Sequence, residues 1–224
     1  AAPLAVAATG RYARVALTDS ARSRGRALPW SLPSWPLPSW PLPSWLGASC
    51  PPSGWLLEQL VTRNLFANGG HLLIRREAVE AAGNFRTDIS YGEDWEYWVR
   101  LAVLGRCTAV PCRTPLLFVR ERPGSAYLSH GTDPDAYQPA LDAIYMNPGV
   151  VERVGDRRLV DLRRRADAET AWSVGRELIR HRNKDEGCKW LWRSIRDAPN
   201  LKRLALIILS RFRFGRFRPY RAAG

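Results

Sequence analysis

Lysine, methionine and histidine are scarce in this chain. Its 224 residues hold three lysines among 34 Lys+Arg, one methionine and three histidines. The preference for arginine reads as GC-rich coding rather than a demand for guanidinium groups. Long apolar runs are also missing. The longest candidate, Leu204 to Leu209, falls far short of the roughly 18–20 residues that cross a bilayer. The opening residues, AAPLAVAATG, have no start methionine and no basic segment leading into an apolar one. They do not read as a signal peptide, and we expect the chain to be cut from a longer protein. The four cysteines, Cys50, Cys107, Cys112 and Cys188, form no CxxC pair and no zinc-ligand spacing. Cys107 and Cys112 are near enough to meet across a short turn, but all four are expected as free thiols in a reducing cytosol. His71 precedes an apolar strand and reads as a packed or edge residue, while His130 and His181 have no partner at ligand spacing.

What is present is a globular composition, 46% hydrophobic and 25% charged. The net charge of +13 is unevenly placed. Residues 1–150 hold 14 basic and 12 acidic side chains, whereas 151–224 hold 20 and 9. From Pro199 onward there are seven basic residues and no acidic one, with Phe212, Phe214, Phe217 and Tyr220 interleaved. Such a segment reads first as a final helix packing its apolar face and running into a frayed basic end, with an anionic membrane surface as the functional alternative. It carries no nucleic-acid-binding fold motif, so nucleic acid is not the expected partner. Residues 30–46 hold a tandem repeat, SLPSW-PLPSW-PLPSW, with Trp30, Trp35, Trp40 and Trp45 at every fifth position. Proline at this density excludes helix interior and central strand, leaving polyproline II or irregular loop. The near-identical copies read as a repeat expansion tolerated in a surface loop, with sugar stacking or partner docking as the functional alternatives.

Periodicity gives the rest. Residues 5–18 read as one strand and 55–66 as a helix. HLLIR follows as a buried strand entered through Gly69-Gly70. EAVEAAG is a short helix closed by Gly83, and DWEYWVRLAVLG a second helix ended by Gly105, with Trp95, Trp98 and Ala102 on one face. TAVP and TPLLFVRE are short strands. This order fits an α/β domain over 1–147. From Pro148 the pattern is helical only: ADAETAWSVGRELIRHR, EGCKWLWRSIRDAP and LKRLALIILSRF, the first two in the manner of a helical hairpin. The expected organisation is therefore α/β over 1–147 and a helical region with a basic tail over 148–224.

Three pieces, LLIRREAVEAAGNF, SYGEDWEYWVRLAVLG and TPLLFVRERPGS, lie in an order and spacing that resembles the second half of a family-2 glycosyltransferase domain of the GT-A fold. The resemblance covers a quarter to a third of the chain. It implies a partial GT-A domain, the acceptor-binding half of an inverting, nucleotide-sugar-dependent enzyme of bacterial cell-envelope polysaccharide. As a fragment the chain is expected to be inactive. Asp94 matches the general base that takes the acceptor hydroxyl's proton, with Glu93 beside it orienting the acceptor or the loop. Gly69, Gly70, Trp95, Arg120 and Arg122 fall at the substrate-binding positions, Arg122 as a partner for phosphate oxygens. At a helix start, free N–H groups and the helix dipole are expected to hold Asp94 ionised. The same charges also stabilise a helix start without any chemistry.

The sequence departs from the family in two places. An Asp-x-Asp motif that would hold a divalent Mg or Mn ion is missing upstream of Gly70, and Asp133-Pro134-Asp135 comes too late to take its role. The resemblance implies the metal for the full-length enzyme, with ligands outside this chain. The histidine many relatives carry after the late strand is replaced by Arg122, as Arg120-Glu121-Arg122. The expected partners are a nucleotide-sugar donor and a glycan or lipid-linked acceptor. The expected location is the cytoplasm, peripheral at the inner face of the membrane through the basic tail. The competing expectation is a non-catalytic scaffold whose basic tail contacts membrane or nucleic acid.

Overall fold

The computed structural model describes residues 5–10, 12–16, 52–66, 70, 72–111, 116–121, 129–181, 183–201, 203, 204 and 207, with the backbone alone for 12–16 and 118–121. The Pro/Trp repeat and the basic tail beyond 207 lie outside these residues, as do Cys50, Cys112 and His71. The described chain is mixed α/β, mostly helical, with a small three-stranded sheet.

The stretch over 5–18 is two strands rather than one. Ala7–Thr9 (β1) and Tyr12–Ala16 (β2) part at Gly10 and take different partners. A side chain at Gly10 would press to 2.9 Å from Leu116, so the small residue lets the backbone pass. β1 is the middle strand of the sheet, antiparallel to Leu72–Ile74 (β3) and parallel to Cys107–Ala109 (β4). Residues 7 and 9 share one face by the period of two, and both are buried. β2 pairs in parallel with Leu117–Glu121 (β5).

Among the described residues, the connection from β1 to β4 carries three α-helices. Leu57–Thr62 (α1) is shorter than the 55–66 its spacing suggests. It stops because Arg63 is extended and because the Asn64 side chain accepts the Phe66 N–H at 3.1 Å, a local turn that competes with the helix. Arg76–Ala82 (α2) ends at Gly83, which holds φ 74°. Glu93–Leu104 (α3) ends at Gly105, where a side chain would strike Val6 at 2.6 Å. The spacing of α3 buries Trp95, Trp98, Val99, Leu101 and Ala102 together, so its apolar stripe faces inward.

The helical region begins earlier than the sequence suggests. Gln138–Tyr145 (α4) precedes Pro148–Val154 (α5). Pro148 sits in the first turn of α5, and Asn147 caps it by accepting the Gly149 and Val150 N–H groups at 2.9 and 3.3 Å. The boundary expected between 147 and 148 also does not divide the core. Leu141, Ile144 and Val150, then Leu159, Leu162 and Ala166, belong to one apolar cluster with Leu60, Val61, Trp95 and Trp98.

Asp156–Arg180 (α6) therefore has two roles. Its first half closes the core over α1, and its second half pairs with Lys184–Asp197 (α7) in the hairpin the sequence suggests. Gly175 and Gly187 sit at the crossing. A Cβ on either would come within 2.8 Å of the other's carbonyl oxygen, so the two helices meet backbone to backbone. Beyond α7, Arg203 donates to Ser194 Oγ at 2.7 Å, pairs with Glu169 and lies over the Trp172 ring, fixing the start of the third helical run. Among the described residues no helix is long and apolar enough to cross a membrane.

Candidate active site

The carboxylate pair is set by a glycine. Gly92 precedes α3 with φ 82°, in the left-handed region, and a side chain there would meet Ala140 Cβ at 3.0 Å. Only glycine takes that conformation without strain. It also seats the start of α3 directly on α4. Before it, Tyr91 packs edge-on to Tyr137, with their hydroxyls 3.3 Å apart, and its ring lies 5.5 Å from that of His130. His130, without a partner in the sequence reading, is thus part of an aromatic cluster at the mouth of the loop.

Glu93 and Asp94 open α3, as the motif implies, and both are partly buried. Asp94 has one side-chain partner that the sequence reading missed. Asn64 Nδ2 donates to Asp94 Oδ1 at 3.2 Å, from just beyond α1. The same Asn64 accepts the Phe66 N–H through its oxygen, so its amide orientation is fixed at both ends. The Trp95 backbone N–H also lowers the pKa of the Asp94 carboxylate.

A helix start with free N–H groups, taken alone, holds an aspartate's pKa at or below its ordinary value. The Asp94 pKa is instead raised from 3.8 to about 6, first by burial and then by the like charge of Glu93, against the smaller opposing effects of the Trp95 N–H and Asn64. The local dipole loses because desolvation is the larger effect. At neutral pH Asp94 is still ionised, yet it holds a proton far more readily than an ordinary aspartate. That combination suits a general base, whose efficiency is greatest with a pKa near the working pH.

Trp95 is not available as a substrate-stacking face. It is only 4% exposed, and its indole N–H donates to the Leu60 carbonyl at 2.6 Å. Tyr145 donates likewise to the Val61 carbonyl at 3.0 Å. The last carbonyls of a helix lack intrahelical partners. Here side chains from α3 and α4 take two of them, which holds the end of α1 where Asn64 can reach Asp94. Trp95 is thus a positioning residue beneath the site.

The other implied positions are dispersed or outside the described residues. Gly70 is exposed, two residues before β3. Arg120 lies on β5, its backbone paired with Val15. Gly69 and Arg122 lie outside the described residues. Asp133 accepts the Asp135 N–H at 3.0 Å, where a 3-10 turn over Asp135–Tyr137 begins. The Asp-Pro-Asp string thus has a local turn role. Among the described residues no group of three or more His, Cys, Asp or Glu side chains could hold a metal ion. The described residues therefore supply no ligand set for the metal that the resemblance implies. Cys107 is buried, with its thiol pKa pushed up to about 11 by burial, and is no nucleophile at neutral pH.

A further group escaped the sequence reading. Glu96, 3% exposed, pairs with Arg100 through three N···O contacts of 2.9–3.1 Å. Arg100 also donates to the carbonyls of Ala82 and Asn84 and lies over the Tyr97 ring, itself stacked on Phe85. This clamp ties α3 to the end of α2. The four-residue spacing of Glu96 and Arg100 was the available signal.

No protein-family model matches the chain, and no curated protein or solved structure is significantly similar to it.

Proposed function

We propose that the chain is the acceptor-side part of an inverting, nucleotide-sugar-dependent glycosyltransferase of the GT-A type, with Asp94 as general base. The observation that carries this is Asp94 itself: a sheltered carboxylate at a helix start, held by Asn64, with a pKa of about 6 and, among the described residues, no cationic side chain as a partner. In the reaction an acceptor hydroxyl oxygen attacks the anomeric carbon of the donor sugar. The bond from that carbon to the diphosphate oxygen breaks, and the leaving diphosphate keeps its electron pair. The hydroxyl proton passes to the Asp94 carboxylate as the new bond forms. Glu93 keeps the base poised through its negative charge, and Asn64 fixes one of the Asp94 oxygens.

The supports are the spacing of the three sequence pieces, the mixed α/β core behind α3, and the tuning of Asp94. Donor sugar and acceptor follow from the family in class only, a nucleotide sugar and a glycan or lipid-linked hydroxyl. The cytoplasmic, membrane-peripheral location rests on the basic tail. A divalent metal is proposed for the full-length enzyme, held by residues other than those described.

The test is the Asp94→Asn substitution in the full-length enzyme, with transfer measured against nucleotide-sugar hydrolysis and melting temperature. Loss of transfer by about 10²–10⁴-fold with the fold intact is expected from removal of a general base. Transfer at the wild-type rate in a folded Asp94→Asn enzyme removes the assignment. It would leave the scaffold reading, in which the carboxylates only start a helix.

A further inference from the structure

The end of α1, the first half of α6 and the end of α7 do not close on one another. Between them is a solvent-open cleft of about 760 Å³. Its walls carry six arginines, Arg63, Arg158, Arg164, Arg165, Arg196 and Arg203, against three carboxylates. Those carboxylates are all engaged. Glu58 pairs with Arg158 at 2.6 Å, Asp197 with Arg196 at 3.3 Å, and Glu169 with Arg203. Arg164 pairs with Asp161 at 3.7 Å, a long contact between exposed groups. Arg63 and Arg165 have no ion pair among the described residues. The cleft thus holds three more cations than anions.

We propose that this cleft binds a phosphate-bearing anion, with Arg63 and Arg165 as its principal ligands and Arg164 in support. Guanidinium groups meet phosphate oxygens with two parallel N–H donors, and guanidiniums that line one cleft without counter-charges are neutralised by such a ligand. The volume lies within the range of about 300–1,000 Å³ usual for small-molecule sites, enough for a diphosphate and part of its substituent. The inference rests on charge balance and shape, and stands apart from the reading of Asp94. The two regions do adjoin. Arg63 lines the cleft and the next residue, Asn64, holds Asp94. Arg63 is extended, with φ −162° and ψ 152°, and successive side chains of an extended segment turn to opposite sides. The cleft also meets the start of the basic tail, since Pro199, Asn200 and Arg203 line it.

The phosphate could belong to a soluble compound or to a lipid headgroup. Two titrations of the full chain at fixed ionic strength separate them, one with inorganic pyrophosphate and one with phosphatidylcholine vesicles with and without phosphatidylglycerol. Each is run on the wild type and on the Arg63→Gln/Arg165→Gln variant, with a thermal melt as the fold control. Both side chains are exposed, so the variant is expected to melt as the wild type does. If it does not, Arg165→Gln alone carries the test. Pyrophosphate binding weakened about tenfold or more, with vesicle binding unchanged, assigns a soluble phosphate compound. Vesicle binding weakened, with or without pyrophosphate, assigns a headgroup. Absence of any binding by the wild type, or equal binding by the variant in both titrations, overturns the proposal.

Discussion

Two carboxylates on α3, two residues apart, receive opposite treatment from the fold. Residues so spaced face away from one another on a helix. Asp94 looks to the end of α1 and Glu96 to the end of α2. Glu96 is almost wholly buried and is matched by the Arg100 guanidinium, which also donates to two carbonyls. Asp94 is also sheltered, but among the described residues it receives an amide and a backbone N–H in place of a cation, with Glu93 pushing against it. A buried carboxylate with a structural task is neutralised. One left with a raised pKa keeps a reactive lone pair at a cost to stability, as proton-transfer groups do.

The largest effect should come from breaking the neutralised side. Arg100→Ala leaves Glu96 buried without its cation, and a loss of about 3–5 kcal/mol is expected in denaturant unfolding. A Glu96→Met/Arg100→Met double variant should recover most of it, because two apolar side chains leave no orphaned charge. If the double variant is no better than the single one, the clamp matters through its carbonyl contacts instead. Next is Gly92→Ala. The left-handed backbone and the close Ala140 contact should together cost about 1–2 kcal/mol. Because α3 starts there, transfer activity should fall further than stability alone explains. A melt unchanged from wild type would show that the backbone relaxes without strain.

How much of this contrast the sequence carried differs between its two halves. The Glu93-Asp94 pair, α2 and α3 with their closing glycines, and the α6–α7 hairpin follow from local signals, namely turn residues and a period of 3.6. The division of β1 from β2 does not, because alternation shows which residues share a face and not which strand they pair with. α4 is two turns long and buries only Ala140, Leu141 and Ile144. That stripe is too short to stand out, so the helical boundary was placed late. Asn64 lies 30 residues from Asp94, and nothing local links them. Asp94 is ionised at neutral pH, as its place at a helix start implies, but its raised pKa is not legible for the same reason: the helix dipole is visible in sequence, whereas the burial that outweighs it is built by α1 and its neighbours.

The smallest effect is the most direct measure of the cost at Asp94. Its pKa of about 6 lies above its ordinary 3.8, so the folded chain binds this proton more tightly than the unfolded chain. Stability from this group therefore falls as pH rises from about 4 to 6 and stays reduced above that. Asp94→Asn removes the titration while keeping an oxygen for Asn64 to donate to. The full shift would correspond to roughly 3 kcal/mol, and partial exposure trims the expected gain to about 1–2 kcal/mol at pH 7.5. The gain should vanish near pH 4, where the wild-type carboxyl is already protonated. Glu93→Gln should give part of the same gain, because it removes the second cause of the shift but not the first. It should also move the acid limb of the transfer rate to lower pH in the full-length enzyme. Unfolding curves of the three proteins at pH 4 and 7.5 check this. An Asp94→Asn protein less stable than wild type at pH 7.5 would mean that Asp94 is a favourable helix-start charge, and would place it on the same side of the comparison as Glu96.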